Sequence, residues 1–597
     1  MKKLTDIVIE FIVNAGVKDV FLLPGGGCMH LVDSLGRNKN LNYIVNLHEQ
    51  ACAIAAEAYG QYTNNLGVAL VTTGPGGTNA VTGVAAAWLD STPCMFISGQ
   101  VKRTDMTGDR GVRQMGFQEI NIIDMVKPVT KYAVTVTEPE RIKYHLEKAL
   151  YLAQNGRPGP VWIDIPLDVQ SAMLDEAGLT GFDEKQISIQ INSSLLTEQV
   201  AQTLELLKNA ERPVILAGNG IRLSKALDDF LELIRILKIP VLTTWKALDF
   251  LTEDDELYIG RPGSVGQRGA NFAQQNSDVI LIIGARLDLG QTGYNHENFA
   301  KRAKKIIVDI DDNEIKKMDM NIDIPVHSDA KLFLKELLKQ VPLIRLKDIS
   351  KWLNRCKEWK NKYPVILPEY WEQKDYVNDY VLLQILSEEM DSDDLLIPGS
   401  SGACSERTMQ AFPIKKGIRV FNSEGLGPMG FGLPAAIGGC IASGRKRTIC
   451  IDGDGGFVMN IQELETLKRL NLPVKIFILN NQGYVSIRAT QNSYFNGNLV
   501  ASSIDSGLTL PDFLKVATSY NIESVRINNN DELREKVKYV LNYNGPILCD
   551  VIVDPNLISA PKITSVQQPD GSFVSKPLED MYPFLDRDEF NANMMVD

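Results

Sequence analysis

Two rhythms of apolar positions run through this chain. Short unbroken runs rich in Val and Ile, such as PVILAG, VILIIG, KKIIVDI, RTICIDG and VKIFILNN, have the length and composition of strands buried on both faces of a parallel sheet. Between them lie stretches such as ELETLKRLNLP, apolar on one side only, which predict amphipathic helices. Strand and helix alternate over most of the length, so the expected class is α/β, with three doubly wound parallel-sheet domains. Their expected spans are 1–185, 190–345 and 375–555, followed by a tail, 556–597, able to fold over a site or a partner subunit. A polar connector, roughly 345–374, carries Trp352, Trp359 and Trp371, read as packing residues. At the start, MKKLTDIVIEFIVNAGV has lysines before apolar residues, but Asp6 and Glu10 break the run at helical spacing. It predicts a surface helix closed at Gly16, not a signal peptide.

Composition adds a few exclusions. The 597 residues are 44% hydrophobic and 23% charged, ordinary for a globular chain. A net charge of -12 with no basic stripe argues against nucleic-acid binding. Eight cysteines without CxxC spacing fit a reducing cytoplasm and give no zinc site. No apolar window is long enough for a membrane span.

The chemistry is concentrated in loops at predicted strand ends. Gly453-Asp454-Gly455 follows one strand of a βαβ unit, and Asn480-Asn481 closes the next. Asp454 and Asn481 would then sit at the C-terminal ends of two parallel strands, where open α/β sheets bind ligands. A carboxylate, an amide oxygen and a nearby backbone carbonyl suit a hard cation such as Mg²⁺ carrying a diphosphate. In the first block FLLPGGG and TTGPGGTNA both follow strands and expose backbone amides, while Glu49 opens an alanine-rich helix. Three such loops in one domain suggest a planar organic group lying close to backbone.

Taken in order, LPGGG, LHEQ, TTGPGGTN, FQE, GRPGPVWIDIPLDVQ, EGLGPMGFGLPAAIG, GDGGFVMNIQELETL and LNNQGY resemble the thiamine-diphosphate enzymes, and most of all the acetohydroxyacid (acetolactate) synthase large subunit. The resemblance implies a pyrimidine-binding domain, a central domain and a diphosphate domain. It implies thiamine diphosphate and Mg²⁺ as cofactors, with Asp454, Asn481 and the Gly483 carbonyl as metal ligands. Glu49 would pair with the pyrimidine N1′, the Gly427 carbonyl would accept from the 4′-amino group, and Met429 would prop the bent cofactor. Gln118 and Gly26 join Glu49 as candidate catalytic residues, and Pro75, Asn79, Gly402, Gly455, Gly456 and Tyr484 as cofactor-binding ones. RPGSVGQRGANFA, GARLD and VDIDDNEI resemble the family's central domain, so Gly263, Gly266, Arg286, Asp288 and Asp309 are expected to hold FAD. In the family Glu49 and the metal motif of one site come from different subunits, which implies a homodimer or homotetramer.

Three departures from the synthase pattern matter. Ala403 and Cys404 stand where synthases carry a glutamine-histidine pair. The loop after the asparagines is two residues shorter, with Tyr484 and Arg488 in place of the usual residues. Arg103, Arg110 and Arg113 precede Gln118, and an arginine-rich mouth would suit a carboxylate or phosphate on the acceptor. The expected activity is a carboligase that decarboxylates a 2-oxo acid such as pyruvate and passes the acyl unit to another 2-oxo acid or a keto sugar. A decarboxylase or lyase releasing an aldehyde and a catalytically silent cofactor-binding scaffold are the alternatives.

Overall fold

The computed structural model describes residues 1–187 and 193–595; the expected start of the second block, residue 190, lies outside them. Each block holds one six-stranded sheet whose neighbouring strands are all parallel. The first is built from Asp19–Leu22, Asn42–Val45, Gly67–Val71, Cys94–Gln100, Tyr132–Thr135 and Pro160–Pro166. The third is built from Leu395–Pro398, Arg419–Val420, Thr448–Gly453, Val474–Asn480, Glu523–Ile527 and Ile547–Ile552. Counting strands in chain order within a sheet, both run second, first, third, fourth, sixth, fifth. The central sheet, from Pro213–Ala217 to Ile324–His327, instead runs third, second, first, fourth, fifth, sixth, the order of dinucleotide-binding folds. Strands such as Val279–Ile283 and Thr448–Ile451 are buried along their length, which is why they read as continuous apolar runs.

The first and third blocks share one core. The alanine-rich helix Glu49–Thr63 lies against Gly432–Ala442, and Ala53, Ala56, Ala436 and Ile437 belong to the same apolar cluster. The approach is close enough that a Cβ on Gly438 would stand 2.2 Å from the Ala55 carbonyl oxygen, so only glycine fits there.

The connector packs as its tryptophans lead one to expect: its helix Ser350–Lys362 buries Trp352 and Trp359 against Phe272 of the central block. Trp371 remains exposed. The tail packs on that same central block, Leu578 O and Asn593 O accepting from Asn271 Nδ2 (2.7 Å) and Asn276 Nδ2 (3.1 Å). It folds there because the polar face of Arg268–Gln275 is wholly buried and needs these backbone partners.

Candidate functional site

The loops of the first sheet interlock into a cradle. Gly25 and Gly27 lie against the TTGPGG turn, where Cβ atoms would stand 2.6 Å from Thr72 and 2.8 Å from Thr73 Cγ2. Gly26 between them is exposed with open space around it, so it offers backbone and no bulk. Pro75 begins the helix Pro75–Leu89, and one turn on Asn79 Nδ2 donates to Glu49 Oε2 (3.0 Å). Glu49 itself opens a helix whose cap, His48 Nδ1, accepts from Gln50 N. Gln118 sits in the left-handed region at φ 63, against Gly74, whose missing Cβ would otherwise meet the Gln118 carbonyl at 2.5 Å. Gln118, Glu49, Gly26, Pro75 and Asn79 are thus gathered at one end of the first sheet.

Behind them Thr73 Oγ1 donates to Gln100 Oε1 (2.9 Å), and Gln100 Nε2 donates to Ile120 O (2.9 Å) and Asp164 Oδ2 (3.3 Å). Burial pushes the Asp164 carboxyl up to about 7, against hydrogen bonds from Ser98, Thr135 and Gln100. Glu119 organises the turn before Gln118 by accepting from the amides of Thr107, Met115 (2.8 Å) and Gly116 (3.2 Å). Burial alone would raise it, but these donors win and hold it below the usual carboxylate range.

The third sheet makes a floor. Asp454 follows the third strand fully buried, with Oδ1 accepting from Gly455 N (2.8 Å) and Oδ2 from Gly483 N (3.0 Å). Burial outweighs those donors and raises its carboxyl to about 6. The two asparagines divide their work: Asn480 Nδ2 donates to Asp550 on the neighbouring strand (3.0 Å), and Asn481 is left beside Asp454. Arg488 fixes the loop, donating to the carbonyls of Asn481 (2.8 Å), Ser502 (2.9 Å) and Pro555 (3.0 Å) and to Asn481 Oδ1 (3.2 Å). Tyr484 lies over Gly455, where a Cβ would stand 2.2 Å from its ring, so Gly455 is glycine for Tyr484's sake. Gly402 precedes Ala403–Ala411 at φ 71 beside Ser486 Oγ, Gly427 turns at φ 63 over the Ser400 carbonyl, and Gly456 packs on Asp452. Met429, expected as a prop, is 36% exposed.

A buried carboxylate, an amide oxygen and a backbone carbonyl at the ends of adjacent parallel strands fit a hard dication. Among the described residues no group of three or more His, Cys, Asp or Glu is placed to hold a metal ion.

Three family models match in the order of the three sheets: the N-terminal TPP binding domain of thiamine pyrophosphate enzymes over residues 2–125, the central domain over 200–337 and the C-terminal TPP binding domain over 400–551. The chain belongs to the thiamine pyrophosphate enzymes. Within them it is 36% identical to a probable acetolactate synthase large subunit of Methanocaldococcus jannaschii, covering 92% of each chain. It is 34% identical to the acetolactate synthase large subunit of Cyanidium caldarium, again over 92% of each. Against acetolactate synthase 1 of Oryza sativa subsp. japonica, named as chloroplastic, identity is 34% over 92% of this chain and 85% of that protein. It is an acetolactate-synthase-like enzyme, and its cofactor is thiamine diphosphate, another name for thiamine pyrophosphate.

This thiamine enzyme has a second opening, a cavity of about 420 Å³ between the central sheet and the other two blocks. Gly263, Arg286, Asp288 and Asp309 line it, with Lys246, Trp245 and Glu424. Gly266 stands behind the wall: its Cβ would fall 2.5 Å from Gly263 N, and its carbonyl accepts from Gln410. Arg286 bridges Asp288 Oδ2 and the Leu89 carbonyl, both at 2.8 Å. Burial, with Asp288 and Asp90 nearby, pushes Glu424 up to about 8, so it enters the cavity as a neutral acid at pH 7.

Within one chain no hydrogen bond joins Glu49 or Gln118 to Asp454, Asn481 or Met429 among the described residues. The arginine-rich mouth is also reduced, since Arg103 is spent on Asp168 (2.7 Å) and the Thr137 carbonyl. Arg110 and Arg113 remain on the exposed segment before Gln118. Sequence patterns gave no sign of Asp90 and Glu463, buried charges between blocks, or of the half-buried Lys246 beside Asp90. Glu463 stood in plain view in the helix QELETL, where it reads as an ordinary first-turn acid.

Proposed function

We propose that the enzyme is an Mg²⁺-dependent carboligase that decarboxylates a 2-oxo acid, pyruvate, and transfers the acyl unit to a carbonyl acceptor, a second 2-oxo acid or a keto sugar. The observation that carries this reading is the pairing of two half-sites: an acid at a helix start, held by Asn79, and a buried Asp454–Asn481 floor. Asp454 Oδ, Asn481 Oδ1 and the Gly483 carbonyl are assigned to the metal. Gly402, Gly455, Gly456 and Tyr484 line the diphosphate side, and Pro75 and Asn79 the pyrimidine side.

Bound thiamine diphosphate supplies a carbon nucleophile and a sink for the electrons that decarboxylation leaves behind. The chain's own part is orientation and proton handling. Glu49 would hydrogen-bond the pyrimidine N1′, and the Gly427 carbonyl would accept a hydrogen bond from the 4′-amino group. Met429 fills the bend. Gln118 and the Gly26 backbone face the substrate, and closure of their loops keeps water from the reacting carbon.

The assembly is a homodimer or homotetramer in which one subunit's Glu49 cradle closes on the other's metal floor. Support comes from the exposure of Phe117, 86%, and of Met429 beside residues assigned to one site. The cavity is assigned to FAD, with the central strand order in support. Domains spanning 1–185, 190–345 and 375–555 follow the three sheets. All eight cysteines are buried and unpaired, which favours a reducing cytoplasm. No helix among the described residues is long and apolar enough to cross a membrane.

The test is CO₂ release from pyruvate with thiamine diphosphate and Mg²⁺, with products identified by mass spectrometry. Acetolactate, or an acyl adduct formed only when a keto sugar is added, is the expected product. Free acetaldehyde regardless of acceptor contradicts the ligase assignment.

A further inference from the structure

The first and third sheets hold each other's loops through one buried carboxylate apiece. Glu463, fully buried at the start of the helix Glu463–Leu470, reaches across to the first block. Its Oε2 accepts from Asn46 Nδ2 and its Oε1 from Leu47 N, both at 2.8 Å. Leu47 lies two residues before Glu49. In the other direction Asp90, directly after the helix Pro75–Leu89, reaches the third block. Its Oδ2 accepts from Glu424 N (2.9 Å) and its Oδ1 from Gly425 N (2.8 Å), and Gly425 lies two residues before Gly427.

The two contacts occupy matching places in the shared topology. Each carboxylate lies between its own sheet's third and fourth strands, Asp90 at the end of one helix and Glu463 at the start of another, and each grips the turn after the other sheet's second strand. Each turn thus has two donors met by an acceptor from the opposite block. Each grip is reinforced. Thr466 Oγ1 donates to Glu463 (2.8 Å), and Lys246 Nζ donates to Asp90 (2.9 Å) and to the Asn422 carbonyl (2.7 Å). Between them Asn460 Nδ2 donates both to Gln50 Oε1 (3.0 Å), next to Glu49, and to the Gly430 carbonyl (2.7 Å), next to Met429.

We propose that Glu463 and Asp90 are reciprocal positioning residues: Glu463 aims Glu49, Asp90 aims Gly427 and Met429, and Asn460 ties the two turns together. This rests on the thiamine-site reading above. If Glu49 and Met429 of one chain serve different active sites of a dimer, the tie runs between those sites, so a change in one loop is felt at the other.

Hydrogen–deuterium exchange on the full-length enzyme tests the proposal without relying on turnover. In Glu463→Gln, exchange in residues 46–50 is expected to rise about tenfold while the helix from 463 stays protected. In Asp90→Asn the same rise is expected in 423–429. With thiamine diphosphate and Mg²⁺, Glu463→Gln is expected to lower kcat about 10- to 100-fold with cofactor affinity within about twofold. Asp90→Asn is expected to weaken cofactor affinity about tenfold. Glu463→Asp, which keeps the charge, is expected to recover part of kcat. Exchange in the opposite block's loop within twofold of wild type overturns the proposal, whatever the enzyme binds. Loosening confined to the substituted block, or lost folding in both conservative variants, overturns it too. Wild type that fails to bind thiamine diphosphate contradicts the site reading, and the exchange result still decides this one.

Discussion

The first and third sheets have one strand order and two uses. In the first, three residues, 46–48, link the second strand to its helix, and the acid, Glu49, begins the helix itself. In the third the same connection takes eleven residues, 421–431, and presents a carbonyl and a thioether, while the acid moves to the end of the third strand as Asp454. The short turn sets Glu49 at the very start of its helix, and the long one carries Gly427 and Met429 well before theirs. The last strand of each sheet shows the same divergence. Asp550 is paired with Arg526 (2.8 Å), whereas Asp164 has only neutral donors and burial drives it up to about 7. The sheets fix where strand ends point; connection lengths and buried partners decide the chemistry.

Removing each half-site's acid separates the two roles most strongly. Asp454→Asn is expected to abolish Mg²⁺-dependent binding of thiamine diphosphate, read by calorimetry. Glu49→Gln is expected to retain binding and lose about 100-fold or more in kcat. Matching losses of binding in both variants would erase the contrast. Cutting the seam between the blocks comes next. A Cβ at position 438 would stand 2.2 Å from the Ala55 carbonyl, so Gly438→Ala is expected to cost about 1–3 kcal/mol in denaturant unfolding. A neutral result would mean that the two helices move apart easily.

The third contrast is one of pH. The Asp164 carboxyl titrates near 7 in the folded chain and near 3.8 in the unfolded one, so the folded state holds its proton more tightly. Its contribution is full below 3.8 and is lost as pH rises through 7, at about 1.4 kcal/mol per pH unit in between. Asp164→Asn is expected to flatten that slope between pH 5 and 7 in thermal melts. Asp550→Asn, which leaves Arg526 only its longer contact with Asp512 (3.4 Å), is expected to destabilise at all pH values in that range.

The placement of Asp454 and Asn481 at neighbouring strand ends was legible in the sequence because its pieces are local: GDG, one helix, one strand and NN form a single βαβ unit. The three-sheet architecture was legible for the same reason, each strand being an unbroken apolar run. Glu49 stood out only through its glycine-rich neighbours, since an acid at a helix start is otherwise commonplace. Asp90 and Glu463 were invisible, because their partners lie 334 and 416 positions away and nothing in their own helices marks them. Gly266, expected among the FAD residues, packs on Gly263 instead of lining the cavity, and close backbone packing selects glycine as strongly as ligand contact does. The tail's place on the central block depended on buried side chains such as Asn271, whose unmet donors no linear pattern reveals.

The proposed active site joins two half-sites from different subunits. Mixing Glu49→Gln with Asp454→Asn, each inactive alone, tests it directly after dissociation and reassembly. Mixed dimers would hold one site with both acids intact and one with neither, so the account predicts that pyruvate decarboxylation returns to a substantial fraction of wild type. Activity that never rises above that of the separate variants would contradict it, and would place both halves of the site within a single chain.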